Sequence, residues 1–185
     1  LQRYINDRAG GIFWALDEKP SDEVARFLYF NALTVGEGRV RESDPANRTP
    51  LGETLLKNYG QSDIGREMKQ GNQTVLTRGE WWELSPREGS IDRRISEILS
   101  VGAPEGKPVA LSLQKRISEN GREETYQRGV FFGGSDFLSN AYLNYGGNMT
   151  LLDLSVDWVL GRVSFQTIPL RVSDSHQLSL TVVQL

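Results

Sequence analysis

Two aspartates are placed where chemistry could be done. Asp17 directly follows the apolar run Ile12-Phe13-Trp14-Ala15-Leu16, and Asp136 follows Val130-Phe131-Phe132 across the turn Gly133-Gly134-Ser135. In open α/β sheets, ligands gather beyond the carboxyl ends of strands. Two carboxylates there can hold a polar ligand. Two of them about 5–9 Å apart in a cleft can also hydrolyse a glycosidic bond. A plainer reading gives both structural work: Ser135 or Asp136 caps the helix that follows, and Asp17 satisfies a loop amide.

Other candidates surround them. Ser135 on a strand-to-helix turn has the look of a nucleophile, but Gly-Gly-Ser-Asp-Phe is not the nucleophile-elbow pattern. A triad also needs a base, and the one histidine, His176, lies in the polar stretch Ser173-Asp174-Ser175-His176-Gln177. Gly129 to Gly134 lacks the lysine and the spacing of phosphate and dinucleotide loops, so these glycines mark a sharp turn. Trp81-Trp82 offers aromatic faces on which a sugar ring can stack. Asn140, Asn144 and Asn148, interleaved with Tyr142 and Tyr145, form a polar rim beside Gly146-Gly147. The set assigned to ligand binding is Asp17, Ser135, Asp136, Asn140, Trp81 and Trp82. No catalytic residue, metal or cofactor is assigned.

Composition narrows the classes. The 185 residues contain no cysteine, which removes disulfides, thiolate metal sites and a cysteine nucleophile. A formal charge of −3, with basic residues scattered and grouped only around Arg87, Arg93 and Arg94, argues against nucleic acid as a partner. A hydrophobic fraction of 38% and a charged fraction of 24% describe an ordinary globular chain, read as one α/β domain over residues 1–185. No run of about 18 apolar residues is present.

The elements that must position these residues follow from periodicity. Leu1, Tyr4 and Ile5 predict the end of an amphipathic helix stopped at Gly10-Gly11. Residues 12–16 suit a strand buried on both faces, as in parallel sheets. Ser21 or Asp22 caps a helix carrying Val24, Phe27 and Leu28. Val35–Val40 predicts a strand, Leu51–Tyr59 a short helix, 60–73 an unstructured stretch and Thr74–Thr77 a strand. Residues 86–108 read as loop with a helical turn at Arg94–Leu99. Residues 109–117 and 125–132 predict an antiparallel hairpin around Asn120-Gly121. Phe137–Leu143 reads as a short helix, and a longer one, capped by Asn148 or Thr150, carries Leu151, Leu154 and Trp158 to Gly161. Ile168–Val172 predicts a last strand. Both ends read as cut from something longer.

The stretch from Arg128 to Arg162 carries a resemblance. Arg-Gly-Val-Phe-Phe-Gly-Gly-Ser-Asp-Phe-Leu-Ser-Asn-Ala-Tyr-Leu, then Gly-Gly-Asn, then Leu-Leu-Asp-Leu-Ser-Val-Asp-Trp-Val-Leu-Gly resembles the auxiliary component of gliding-motility-type ABC transport systems. That family's pattern is a strand, Gly-x-Ser/Ala-Asp-Phe-x-Ser-Asn, a Gly-Asn pair and a helix ending in Asn-Trp-Leu; here Asp157 stands where asparagine is usual. The opening Leu-Gln-Arg-Tyr-Ile, Gly10-Gly11 and Ile-Phe-Trp-Ala-Leu-Asp also fits, whereas residues 60–108 match poorly. The resemblance implies a three-layer, flavodoxin-like sheet of the class I glutamine amidotransferase type, without that enzyme's cysteine. It implies the C-terminal part of a larger extracytoplasmic or periplasmic region tethered to the inner membrane, with membrane subunits of an ABC transporter as partners. It also implies an upstream strand before Leu1, whose truncation leaves a sheet edge bare at the N-terminal side. A bare edge invites pairing, so a homodimer through that edge is expected.

Two functions are weighed on these grounds. The first is a non-catalytic binding or scaffold domain of such a system, with a sugar or a peptide as ligand. The alternative is a carboxylate-dependent hydrolase such as a glycosidase.

Overall fold

The computed structural model describes residues 10–87, 93–102, 106–119 and 123–162. The expected helix over 1–9, the Asn-Gly turn itself, the strand Ile168–Val172 and His176 lie outside them. The described chain is an α/β fold around a mixed five-stranded sheet. Its order is β1 (Ile12–Ala15), β9 (Glu123–Phe132), β8 (Lys107–Glu119), β7 (Arg93–Val101) and β4 (Asn58–Tyr59). β1 is parallel to β9; the other pairs are antiparallel. Two ribbons complete the strands: β2 (Leu33–Val40) with β6 (Trp81–Pro86), and β3 (Thr54–Leu56) with β5 (Val75–Thr77). The helices are α1 (Asp22–Phe30), α2 (Asp63–Gln70) and α3 (Gly146–Val159).

Strand alternation builds two cores, because successive side chains leave a strand on opposite faces. On β9, Val130 and Phe132 enter one cluster and Phe131 the other; on β8, Ala110 enters the first and Leu111 and Leu113 the second. Ile64 and Met68 of α2 and Leu151 and Trp158 of α3 close the first cluster. Leu28 of α1, with Leu33 of β2 and Trp82 and Leu84 of β6, closes the second. Helices thus cover both faces.

The hairpin of β8 and β9 holds as expected, with Ala110 opposite Phe132 and Ile117 opposite Thr125. Ser21 caps α1, accepting from the Val24 N–H at 3.4 Å. Several local expectations are overturned. Leu51–Tyr59 is not a helix but holds β3 and β4, because Leu56 and Tyr59 each reach the first core from a short extended piece. Residues 60–73, read as unstructured, contain α2. Ser62 caps it by accepting from the Gly65 N–H at 2.9 Å, and the i, i+4 pair Ile64 and Met68 anchors it. Apart from the buried Gly65, its other residues are polar, so the stripe is only two side chains wide. Arg94–Leu99 is strand rather than helical turn. β7 alternates, but register shifts between Glu97 and Ser100 break the period in sequence. Phe137–Leu143 is a single 3-10 turn, Asp136–Leu138, followed by turns.

Tyr59 is buried, and its hydroxyl donates to the Gln73 carbonyl at 3.2 Å. Burial pushes its phenol well above the ordinary tyrosine value, against a smaller opposing effect of the Val75 backbone. A raised value favours the neutral phenol in the folded state. The resulting stability is complete below the unfolded value of about 10 and is lost as pH rises above it. Urea denaturation from pH 8 to pH 11 should therefore show a falling stability above about pH 10. Tyr59→Phe should remove that component of the slope. Identical slopes for the two proteins would show that the phenol does not ionise on unfolding.

Candidate functional site

β1 and β9 are adjacent and parallel, with Ala15 opposite Phe132 and the Leu16 N–H donating to the Phe132 carbonyl at 2.9 Å. Asp17 and the Gly133–Asp136 turn therefore leave the same end of the sheet, as the sequence suggests. Beyond that point their neighbours differ. Asp17 is exposed, and its carbonyl accepts from Arg39. The Arg39 guanidinium lies 5.4 Å over the Trp82 ring, so Asp17 belongs with the second core's side. Asp136 is half-buried against Gly79, where a Cβ would lie 2.7 Å from its carboxyl carbon. Gly79 precedes Trp81, whose ring belongs to the first core.

The remaining expected site residues are used locally. Ser135 opens the 3-10 turn without a side-chain cap, so capping by Ser135 does not occur; its carbonyl accepts from the Leu138 N–H at 2.9 Å. Asn140 is exposed in the turn that follows. Neither tryptophan presents a face to solvent. Trp81 stacks on Phe137 with centroids 5.5 Å apart, and its indole N–H donates to Thr77 Oγ1 at 3.3 Å. Trp82 points to the opposite face, under Arg39, and its buried indole N–H has no protein partner among the described residues. Adjacent strand positions cannot put both rings on one side, which is why a Trp-Trp pair does not make a double platform.

Asn148 was expected as a helix cap and is something else. It lies inside the first turn of α3, whose N-cap residue Tyr145 makes no side-chain cap bond. Fully buried, its Oδ1 accepts from the Leu76 N–H at 2.8 Å. Its Nδ2 donates to the carbonyls of Leu76 at 2.8 Å, Tyr142 at 3.0 Å and Phe137 at 3.2 Å. One amide thus serves an edge of β5, the 3-10 turn and the loop before α3. Trp158 ties the other end of α3: its indole N–H donates to Asp63 Oδ2 at 3.4 Å, and Arg128 donates to its carbonyl at 3.2 Å. A polar recess among Ser62, Asp63, Ser112, Gln114 and Trp158 holds about 10 Å³, room for one water and no organic ligand. Among the described residues no three histidine, aspartate or glutamate side chains are set to hold a metal.

The outer side of α3 carries exposed apolar residues: Tyr145, Met149, Val156 and, just beyond the helix, Leu160. Their spacings of four, seven and four residues place them on one face. The only charged side chains on α3 are Asp153 and Asp157, and the exposed Asp153, four residues after Met149 and three before Val156, lies on that same face. No described helix is long and apolar enough to cross a membrane.

These features define an α/β domain with a mixed sheet, its resembling segment packed into the core. No family model matches the chain, and no curated protein matches it either. Among solved structures it is similar to the N-terminal domain of mmIFT52, with a TM-score of 0.60 and 17% identity over 85% of this chain and 68% of that one. At that identity the likeness shows the fold alone.

Proposed function

We propose that this chain is a non-catalytic binding or scaffold domain of an ABC-type transport or gliding-motility-like system. In this reading it lies outside the cytoplasmic membrane, tethered to it, and contacts the transporter's membrane subunits. The observation that carries the reading is the exposed outer face of α3, where Tyr145, Met149, Val156 and Leu160 surround the single carboxylate of Asp153; it lies within the resembling segment and offers a docking surface. The segment's other signature residues, Gly133, Gly134, Asn148 and Trp158, serve packing and hydrogen bonding, which supports a role without chemistry of their own. The flavodoxin-like, amidotransferase-type assignment belongs to the same proposal. The helices on both faces support it, and β1–β9 is the one parallel pair of the five-stranded sheet. Pairing of two copies along β1, which has a strand on one side only among the described residues, is part of the same proposal.

Photo-crosslinking tests the reading directly. A benzophenone side chain at Met149 or Leu160, in the full-length protein in its native membranes, should crosslink to an ABC permease or ATPase subunit. Crosslinks confined to other proteins would overturn the transport assignment. Turnover of chromogenic glycosides, abolished by Asp17→Ala or Asp136→Ala, would overturn the non-catalytic one.

A further inference from the structure

Among the described residues, β2 has one strand neighbour, β6. The Arg87 N–H donates to the Ala32 carbonyl at 2.7 Å, and the pairing continues Leu33↔Pro86, Thr34↔Ser85, Val35↔Leu84. Opposed residues in an antiparallel ladder alternate between hydrogen-bonded and non-hydrogen-bonded pairs. Ala32/Arg87 and Thr34/Ser85 are therefore the bonded pairs. Pro86, which has no N–H, sits where none is needed. It follows that the N–H and C=O of Val35 point away from β6. Those of Leu33 point the same way, but Leu33 is fully buried, so the open edge begins at Val35.

That edge lines a groove. About 620 Å³ separates it from α1, with Asp22, Ala25 and Tyr29 on the helix side and Val35, Gly36 and Glu37 on the strand side. Tyr29 is held in place by the Arg87 guanidinium, 4.1 Å above its ring. The register slips between Val35 and Arg39, and a Cβ at Gly38 would meet nothing within 4 Å.

We propose that this groove binds an extended peptide, which adds to β2 as a further strand. The peptide's main chain pairs with the N–H and C=O of Val35, and alternate side chains fall between Ala25 and Tyr29. An outward N–H and C=O on one edge residue, set beside a long groove, suits an extended main chain better than a helix, whose own N–H and C=O groups are already paired. The charged lining is Asp22 and Glu37 against Lys19, so a peptide carrying lysine or arginine is preferred.

Selection from a phage-displayed library of random octapeptides against the full chain, followed by titration into 15N-labelled protein, tests this. Selected peptides should be rich in β-branched and basic residues and should shift the amides of Val35, Gly36 and Glu37. Val35→Pro removes one outward N–H while sparing the β2–β6 bonds, and Ala25→Trp fills the groove from the helix side. Each should weaken binding by about tenfold or more, the loss of roughly one hydrogen bond or one packed side chain. Should Val35→Pro fail to fold, Ala25→Trp decides alone. Three results would overturn the proposal: shifts confined to another surface, wild-type affinity in Ala25→Trp, or a Val35 amide already protected from hydrogen exchange in the free protein. The last would mean that another segment of this chain occupies the edge.

Discussion

Asn148→Ala is expected to be the most destabilising single substitution in the described chain, by about 4 kcal/mol. The side chain is fully buried and connects four backbone groups: the Leu76 N–H and the carbonyls of Leu76, Phe137 and Tyr142. Its amide nitrogen has two hydrogens for three carbonyls, so one hydrogen is shared. Alanine would leave a buried donor and up to three buried acceptors without partners, each costing about 1–3 kcal/mol before relaxation. Asn148→Asp should be no better, since a carboxylate accepts from Leu76 but cannot donate to the carbonyls. For a chain of this size the loss corresponds to a fall in Tm of roughly 10 °C. Urea and thermal denaturation of both variants would measure it. A change below about 1 kcal/mol would show that the three segments hold together without the amide.

Gly133→Ala is the second, at about 3 kcal/mol. A Cβ there would overlap the Trp82 carbonyl oxygen and stand 2.9 Å from its carbon, where β6 crosses the end of β9. The same crossing is held by the Trp82 N–H donating to the Gly133 carbonyl at 2.7 Å, and Gly133 is itself fixed to β8 by its N–H donating to the Val109 carbonyl at 2.7 Å. Both sides of the contact are backbone, so neither can swing away, and β6 must separate from the sheet with Trp81 and Trp82 attached. Gly146→Ala is the internal control. A Cβ at Gly146 meets nothing within 4 Å and lies at the start of α3, where alanine is the better helix former. It should leave stability unchanged or raise it by up to about 1 kcal/mol. Near-equal stabilities for the two variants would show that the crossing is loose.

The parts of the fold legible in the sequence are those whose signal is local. The β8–β9 hairpin was readable because Leu111, Leu113 and Ile117 alternate with polar residues, Lys115 apart, ahead of Asn120-Gly121. The stripe of Leu151, Leu154 and Trp158 announced α3. Ser21 before Val24, Phe27 and Leu28 announced α1. The errors fell where a long-range partner outweighs the local pattern. β3 and β4 are too short to show a period, and they exist because β5 and β7 pair with them. α2 has a two-residue stripe that suffices only because the first core receives it.

The candidate site divides in the same way. That Asp17 and Asp136 leave one end of the sheet follows from two apolar runs, each ending at an aspartate. That one faces Arg39 and the other Gly79 follows from β6 crossing between the cores, which no spacing records. The absence of cysteine and the single histidine are settled by sequence alone, because side-chain chemistry cannot be supplied by folding. Which side chains meet is decided only by tertiary structure. Trp81 and Trp82 are neighbours in the chain and sit in different cores. Asn148 and Leu76 are far apart in the chain, yet the amide pairs with both the N–H and the C=O of Leu76. The physical reason is that a polypeptide's pattern fixes which residues want burial, whereas the partner each finds depends on sheet order and register, set by the whole chain at once.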